Sequence, residues 1–189
     1  MKIKILVLFS LFFLLQYSCL DTQIVNRMAK DEEGNFLMIG RQSRDAFKHE
    51  AYSNWFQDEY SAYTPNKAIT SKLKRSIKKY KIVIFYGSWC EDSRRELPRF
   101  LKIMDELKMP KNQIEIYAVD RRKESFFGEE QGKNITKVPT FIFYKKNKIS
   151  SNKRDVEINR IIENPMGESL EEDILKIVNN ENYTPKYYY

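Results

Sequence analysis

Along the chain the apolar residues change their spacing, and each change predicts an element. Phe36-Leu37-Met38-Ile39, ending at Gly40, is a short apolar run that predicts an edge strand. From Ser43 the residues Phe47, Ala51 and Trp55, with Tyr52, Phe56 and Tyr60 one row over, recur at four-residue spacing and predict an amphipathic helix that stops before Thr64-Pro65. That aromatic stripe reads as a core-facing surface. A second helix is predicted from Asn66, with Ile69, Leu73, Ile77 and Tyr80 on one side and lysines around the rest. Ile82-Val83-Ile84-Phe85-Tyr86 is apolar at every position, which predicts a strand buried on both faces.

Gly87-Ser88-Trp89-Cys90 breaks that strand, and a helix follows from about Glu91, with Leu97, Phe100, Leu101, Met104 and Leu107 at helical spacing and Pro110 after its end. Ile114 to Asp120 alternates as a further strand. A polar loop with Gly128 and Gly132 leads to Val138-Pro139-Thr140 and the strand Phe141 to Tyr144. Lys145 to Arg154 reads as a basic turn and Glu157 to Glu163 as a last strand. Ser169 with Glu172 makes a capping box ahead of the stripe Leu170, Ile174, Ile177 and Val178. The tail from Tyr183 to Tyr189 has no periodicity. Together the segments predict an α/β domain, with a mixed sheet carrying helices on both faces.

Composition narrows the chemistry. With 42% hydrophobic residues and only 6 Gly and 6 Pro, the chain is neither disordered nor low-complexity. Two cysteines and one histidine exclude a disulfide framework and a Cys/His zinc site, and no metal or cofactor is expected. The formal charge of +7 does not by itself imply nucleic acid, and none is expected as a partner. The lysines of the second helix read as a solvated face, with anionic headgroups as the alternative contact. His49 has no acid or cysteine near it in sequence and is assigned no role.

The first twenty residues carry Lys2 and Lys4, an apolar run from Ile5 to Leu15, and then Gln16-Tyr17-Ser18-Cys19. The run is about half of the ~20 helical residues that cross a bilayer, so it predicts an export signal rather than a span. Ser18 directly before Cys19 resembles a bacterial lipoprotein signal, which implies lipid attachment at Cys19 and a membrane-anchored, exported chain. Gln16 departs from that pattern, and cleavage nearby without lipid is the alternative. Either way the chain is expected to leave the cytoplasm; with lipid on Cys19 as the first residue the formal charge of +7 falls by two with the lysines, and the other cysteine, Cys90, is left as an odd thiol.

Cys90 falls where a buried strand hands over to a helix. Unpaired amide N-H groups and the positive end of a helix dipole face such a point and stabilise a thiolate. Glu91 and Asp92 oppose this locally, whereas Arg94 and Arg95 favour it.

From about Lys81 to Val178 the chain resembles the thioredoxin-like superfamily. A hydrophobic strand runs into Trp89-Cys90-Glu91-Asp92-Ser93, which looks like Trp-Cys-x-x-Cys; Pro98 stands where the family has a kinking proline, and Val138-Pro139-Thr140 looks like its cis-proline turn. The resemblance implies a thioredoxin-like fold with an N-terminal helical extension: a signal over 1–19, an extension over 20–65, the domain over 66–180 and a tail over 181–189. It also implies Cys90 as nucleophile, Ser93 and Pro139 in the catalytic set, and Trp89, Val138 and Thr140 along the substrate.

Two departures stand out. Ser93 replaces the second cysteine, and Ile84 stands where the family has a buried aspartate. A mixed disulfide at Cys90 must then be resolved by an outside thiol, while Ser93 is expected to donate a hydrogen bond to the sulfur. The expected function is single-cysteine thiol-disulfide exchange, as reductase or isomerase, in the bacterial envelope or periplasm. Its partners would be a disulfide-bearing protein or small thiol, an external reducing thiol and, through Cys19, the membrane. Two alternatives are a redox-inactive module that binds extended peptides and a single-cysteine glutaredoxin-like carrier, whose Cys-x-x-Ser spacing is shared but whose intervening residues are not.

Overall fold

The computed structural model describes residues 25–145 and 155–187. Cys19, the export signal and the basic turn beyond Lys145 lie outside them. The strands are β1 (Arg27–Lys30), β2 (Phe36–Gln42), β3 (Tyr80–Tyr86), β4 (Ile114–Ala118), β5 (Thr140–Lys145) and β6 (Val156–Ile162), and the helices α1 (Glu50–Ala62), α2 (Lys67–Leu73), α3 (Glu91–Glu106) and α4 (Leu170–Val178). One sheet has the order β1-β2-β4-β3-β5-β6. Its β3 and β4 are parallel, joined by a crossover through α3, and every other neighbouring pair is antiparallel.

β3 is central, hydrogen-bonded to β4 and β5, and its side chains divide the protein into two layers. Ile82, Ile84 and Tyr86 share a face with Ile116, Ala118, Phe141 and Phe143, and this face joins the apolar residues of all four helices in one core. Phe100 of α3 stacks on Phe141 with ring centroids 4.3 Å apart. Val83, Phe85 and Ile142 point the other way and pack with Val119, Val138, Trp89 and Ile135. The expectation of helices on both faces is therefore corrected: among the described residues the helices share one face, and the other is sealed by side chains of the 87–90 turn and the 119–138 connection.

Of the segment expected as an extension, residues 25–65 enter both the sheet and the core. β2 is not an edge strand. It pairs with β1 through Phe36 to Ile39 and with β4 through Gly40 to Gln42, leaving β1 at the edge. The changeover falls at Gly40, where φ is +73°, a conformation that favours glycine.

The helix expected from Ser43 is interrupted. A 3-10 turn over Arg44–Lys48 ends at His49, which has an extended backbone and caps α1 by accepting from the Ala51 N-H through Nδ1 at 3.3 Å. The four-residue spacing survives the break because Phe47 still stacks on Phe56, at 4.4 Å. The second helix also ends early, at Leu73. Ile77 then reaches the core from a 3-10 turn, and Tyr80 opens β3.

At the C-terminal end two buried carboxyl groups of α4 fasten loops. Glu171 accepts from the Tyr63 hydroxyl (2.6 Å) and the Asn66 amide (2.8 Å), tying the α1–α2 connection to α4. Asp173 accepts from the Met166 and Gly167 amides (2.6 and 2.9 Å) and from the Tyr183 hydroxyl (2.8 Å). Burial, followed by the Asp173 charge, pushes the Tyr183 phenol well above its ordinary value. The start of the tail is thereby built into the fold. Asp173→Ala strands three donors and should cost about 3 kcal/mol or more, whereas Tyr183→Phe should cost about 1.5 kcal/mol. Urea midpoints of the two variants measure this, and a Tyr183→Phe midpoint equal to wild type would show that the tail is not held by this bond.

Candidate active site at the Cys90 turn

β3 ends at Tyr86, and its chain must leave the sheet while still largely buried. Gly87 to Cys90 does so as a turn closed by the Cys90 N-H donating to the Gly87 carbonyl at 3.0 Å. The remaining polar groups of the turn are met by side chains. The Gly87 N-H donates to Ser93 Oγ at 3.1 Å, and Arg94 Nε donates to the Ser88 carbonyl at 2.7 Å. Buried Ser88 accepts from the Met38 N-H through Oγ at 3.0 Å, which fixes the turn to β2. Trp89 folds back over Gly87 and donates from Nε1 to the Val119 carbonyl at 2.9 Å. A Cβ at Gly87 would stand 2.6 Å from the indole, so that position admits only glycine while Trp89 keeps this pose.

Cys90 is the N-cap of α3 and is partly exposed, with no side-chain bond to the helix amides. Its thiol donates instead to the Val138 carbonyl at 3.3 Å. Val138–Pro139 is a cis peptide bond, and the Pro139 carbonyl accepts from the Glu163 N-H at 2.7 Å. The structure thus brings together Trp89, Cys90, Val138 and Pro139, which are about fifty residues apart in sequence.

Other expected members are placed differently. Ser93 is fully buried, and its hydroxyl accepts from Gly87 rather than bonding the Cys90 sulfur, so its role here is to hold the turn. Thr140 is also buried, with Oγ1 donating to the Lys137 carbonyl at 2.6 Å, and the Val138 side chain lies in the second core. Val138 therefore faces the sulfur through its backbone, and Thr140 shapes the turn without presenting a side chain to substrate. Arg95 is taken up by Asp92 (2.5 Å) and Glu96 (2.7 Å) rather than by the sulfur. Ile84 is fully buried in the helical-face core, so the apolar residue there is a packing residue.

Sequence reasoning missed Ser88, the Val119 carbonyl and Arg121, whose guanidinium lies 5.4 Å from the Trp89 ring centroid. The first serves the chain fifty residues earlier and the other two lie thirty later, and no local pattern marks them. Gly87 did carry a signal, because a glycine beside a large aromatic at the end of a buried strand marks a close approach. Among the described residues no three His, Cys, Asp or Glu side chains cluster as metal donors.

Comparison with known proteins gives one family. Among solved structures, a protein of unknown function from Pseudomonas aeruginosa aligns over 68% of this chain and 81% of its own, at 17% identity and a TM-score of 0.45. An HIV epitope scaffold aligns over 69% and 83%, at 16% identity and a TM-score of 0.43. No curated protein matches the chain. The family profile described as Thioredoxin matches residues 63–166, more than half of the 189. That stretch contains β3, the Trp89-Cys90 turn, α3 with Pro98 inside it, and the cis Val138–Pro139 bond. The chain belongs to the thioredoxin family.

Proposed function

We propose that the protein performs thiol-disulfide exchange through one cysteine, Cys90. The observation that carries this reading is the partly exposed Cys90 thiol at the head of α3, 3.3 Å from the backbone of the Val138–Pro139 turn. In the forward step the deprotonated sulfur attacks one sulfur of a substrate disulfide. A Cys90–substrate disulfide forms, the substrate S–S bond breaks, and the second substrate sulfur leaves as a thiolate that takes up a proton. An external thiol then attacks the mixed disulfide, freeing Cys90 and remaining joined to the substrate sulfur until a second external thiol completes the reduction. If a different cysteine of the substrate, not the one just released, attacks the substrate sulfur of the mixed disulfide instead, a new substrate disulfide forms, Cys90 is freed, and the outcome is isomerisation with no net electrons consumed.

Ser93 stands one helical turn from Cys90 where a resolving thiol would be, and its hydroxyl cannot carry the exchange. Trp89, pinned to Val119, walls one side of the sulfur. An extended substrate segment would lie against the backbone of Val138, in a strand-addition mode. The same reading places the protein outside the cytoplasm, anchored in the bacterial envelope through lipid on Cys19, on the strength of residues 1–19.

A second reading, a peptide-binding module without turnover, is favoured by one feature: the Cys90 thiol donates to a carbonyl, a bond that is lost when the sulfur ionises. The two readings separate on trapping. Incubated with glutathione disulfide or a disulfide-bonded peptide, the wild type should accumulate a covalent adduct of the expected mass on the proteolytic fragment that carries residue 90, and Cys90→Ala, which keeps only the Cys19 thiol, should form none on that fragment. Ser93→Cys should release that adduct without added thiol, at least about tenfold faster than wild type. A wild type that binds the peptide but forms no adduct would establish the module instead.

Gly87→Ala drives a methyl into the Trp89 indole and should displace it. Adduct formation should slow by about tenfold or more, and the protein should lose about 1–3 kcal/mol of stability to overpacking. Unchanged tryptophan fluorescence and an unchanged rate would show that the indole wall does not depend on Gly87.

A further inference from the structure

Residues 72–79 read Lys-Leu-Lys-Arg-Ser-Ile-Lys-Lys, and no Asp or Glu occurs between Glu59 and Glu91. Leu73, the last residue of α2, and Ile77, in the 3-10 turn after it, are fully buried. Their burial turns Lys72, Lys74, Arg75, Lys78 and Lys79 outward, and all five are exposed. Among the described residues none of these five side chains has an ion pair or a hydrogen bond. The Lys78 carbonyl accepts from Gln113 Nε2 at 3.2 Å, which brings Lys111 of the 111–113 turn alongside. Surface charges of the two signs are ordinarily interspersed, and a cluster of one sign makes a field that draws a partner of the other.

The place of the cluster says which partner. It leads into Tyr80, where β3 begins, whereas the Cys90 turn follows the other end of β3. A strand of seven residues separates the two by about 20 Å, at about 3.3 Å per residue. The N-terminal chain enters the fold at the basic end: the Asn26 N-H donates to the Arg41 carbonyl at 2.9 Å, and Val25 lines one cleft with Lys111 and Ile114. Only residues 20–24 separate Val25 from Cys19. Fully extended, that stretch spans at most about 20 Å. A lipid on Cys19 therefore holds the bilayer surface within about 20 Å of the end that carries the cluster.

We propose that this basic end of the sheet docks on the anionic membrane leaflet that holds the Cys19 lipid; the inference rests on the anchor proposed above. The tether brings the surface to this end, and the charge decides which face meets it. Each lysine or arginine close to an anionic surface strengthens the attraction about fivefold. Docked this way, the protein turns Cys90 away from the bilayer, so its thiol meets disulfides of soluble substrates rather than of segments within the membrane.

The test uses the full chain with its native N-terminus, reconstituted into vesicles of phosphatidylcholine alone or mixed with phosphatidylglycerol. Lysines are acetylated with a membrane-impermeant reagent and read by mass spectrometry. On the anionic vesicles Lys72, Lys74, Lys78 and Lys79 should react at least about fivefold more slowly than on the neutral ones. Lys30, at the β1–β2 hairpin on the Cys90 side, and the alkylation rate of Cys90 should not change. The protection should vanish at about 1 M salt, where the screening length is about 3 Å. Lys74→Gln combined with Lys78→Gln should remove it at low salt without shifting the unfolding midpoint, since both side chains are exposed. The mass of the N-terminal peptide reports lipid on Cys19; its absence would overturn the anchor, and the docking with it. Lipid present with equal acetylation on both vesicles, or slowed alkylation of Cys90 on the anionic ones, would overturn the docking alone. Protection of the same lysines by polyglutamate and not by the anionic vesicles would make the cluster a surface for an acidic protein, and would likewise overturn it.

Discussion

Burial of β3 is the constraint on which the rest of the structure depends. The strand lies between β4 and β5 and is covered above and below, so each of its backbone groups must be paired within the protein. Inside the strand the ladders meet this requirement. At Tyr86 they end, and the chain has to turn into α3 while Gly87 and Ser88 are still buried. The answer is a set of bonds from distant elements: Ser93 and Arg94 from the helix it enters, and the contact of Ser88 with Met38 of β2. The turn that carries Cys90 is thereby tied both to β2 and to α3.

Those bonds fix what stands around the sulfur. A turn held from several sides keeps Cys90 at the mouth of α3 and opposite the Val138 backbone, with Trp89 folded over Gly87. The same bonds also explain why Ser93 faces inward. A side chain one helical turn after the N-cap points at the end of β3, where the Gly87 amide needs an acceptor, and a serine meets that need where a thiol would meet it poorly. Ser93, which stands where the family has a second cysteine, thus holds the turn that carries Cys90.

Much of the architecture was legible because burial repeats. The apolar run of β3, the stripe of α3 and the capping Ser169 of α4 each announce their element, and Ser169 Oγ accepts from the Glu172 amide as the motif predicts. Boundaries were less legible where apolar spacing continued through a backbone break. Phe47 and Phe56 face the same core from a 3-10 turn and a helix, so the period gives no sign that His49 ends one and caps the other. The layer assignment was not legible either, since a strand buried on both faces reads the same whether helices or a loop cover the second one.

The sequence by itself determined that Cys90 sits at a strand-to-helix junction and is the only cysteine after Cys19, because local order and residue counts suffice for both. Its resemblance to the thioredoxin-like superfamily also marked Val138-Pro139-Thr140 as a turn. Only the tertiary structure decided what the sulfur touches, where the Ser93 hydroxyl goes, and which residues of segment 25–65 belong to the sheet. These are contacts between chain positions up to about fifty residues apart. They are selected by the requirement that buried polar groups find partners, and a requirement of that kind leaves no period in the sequence.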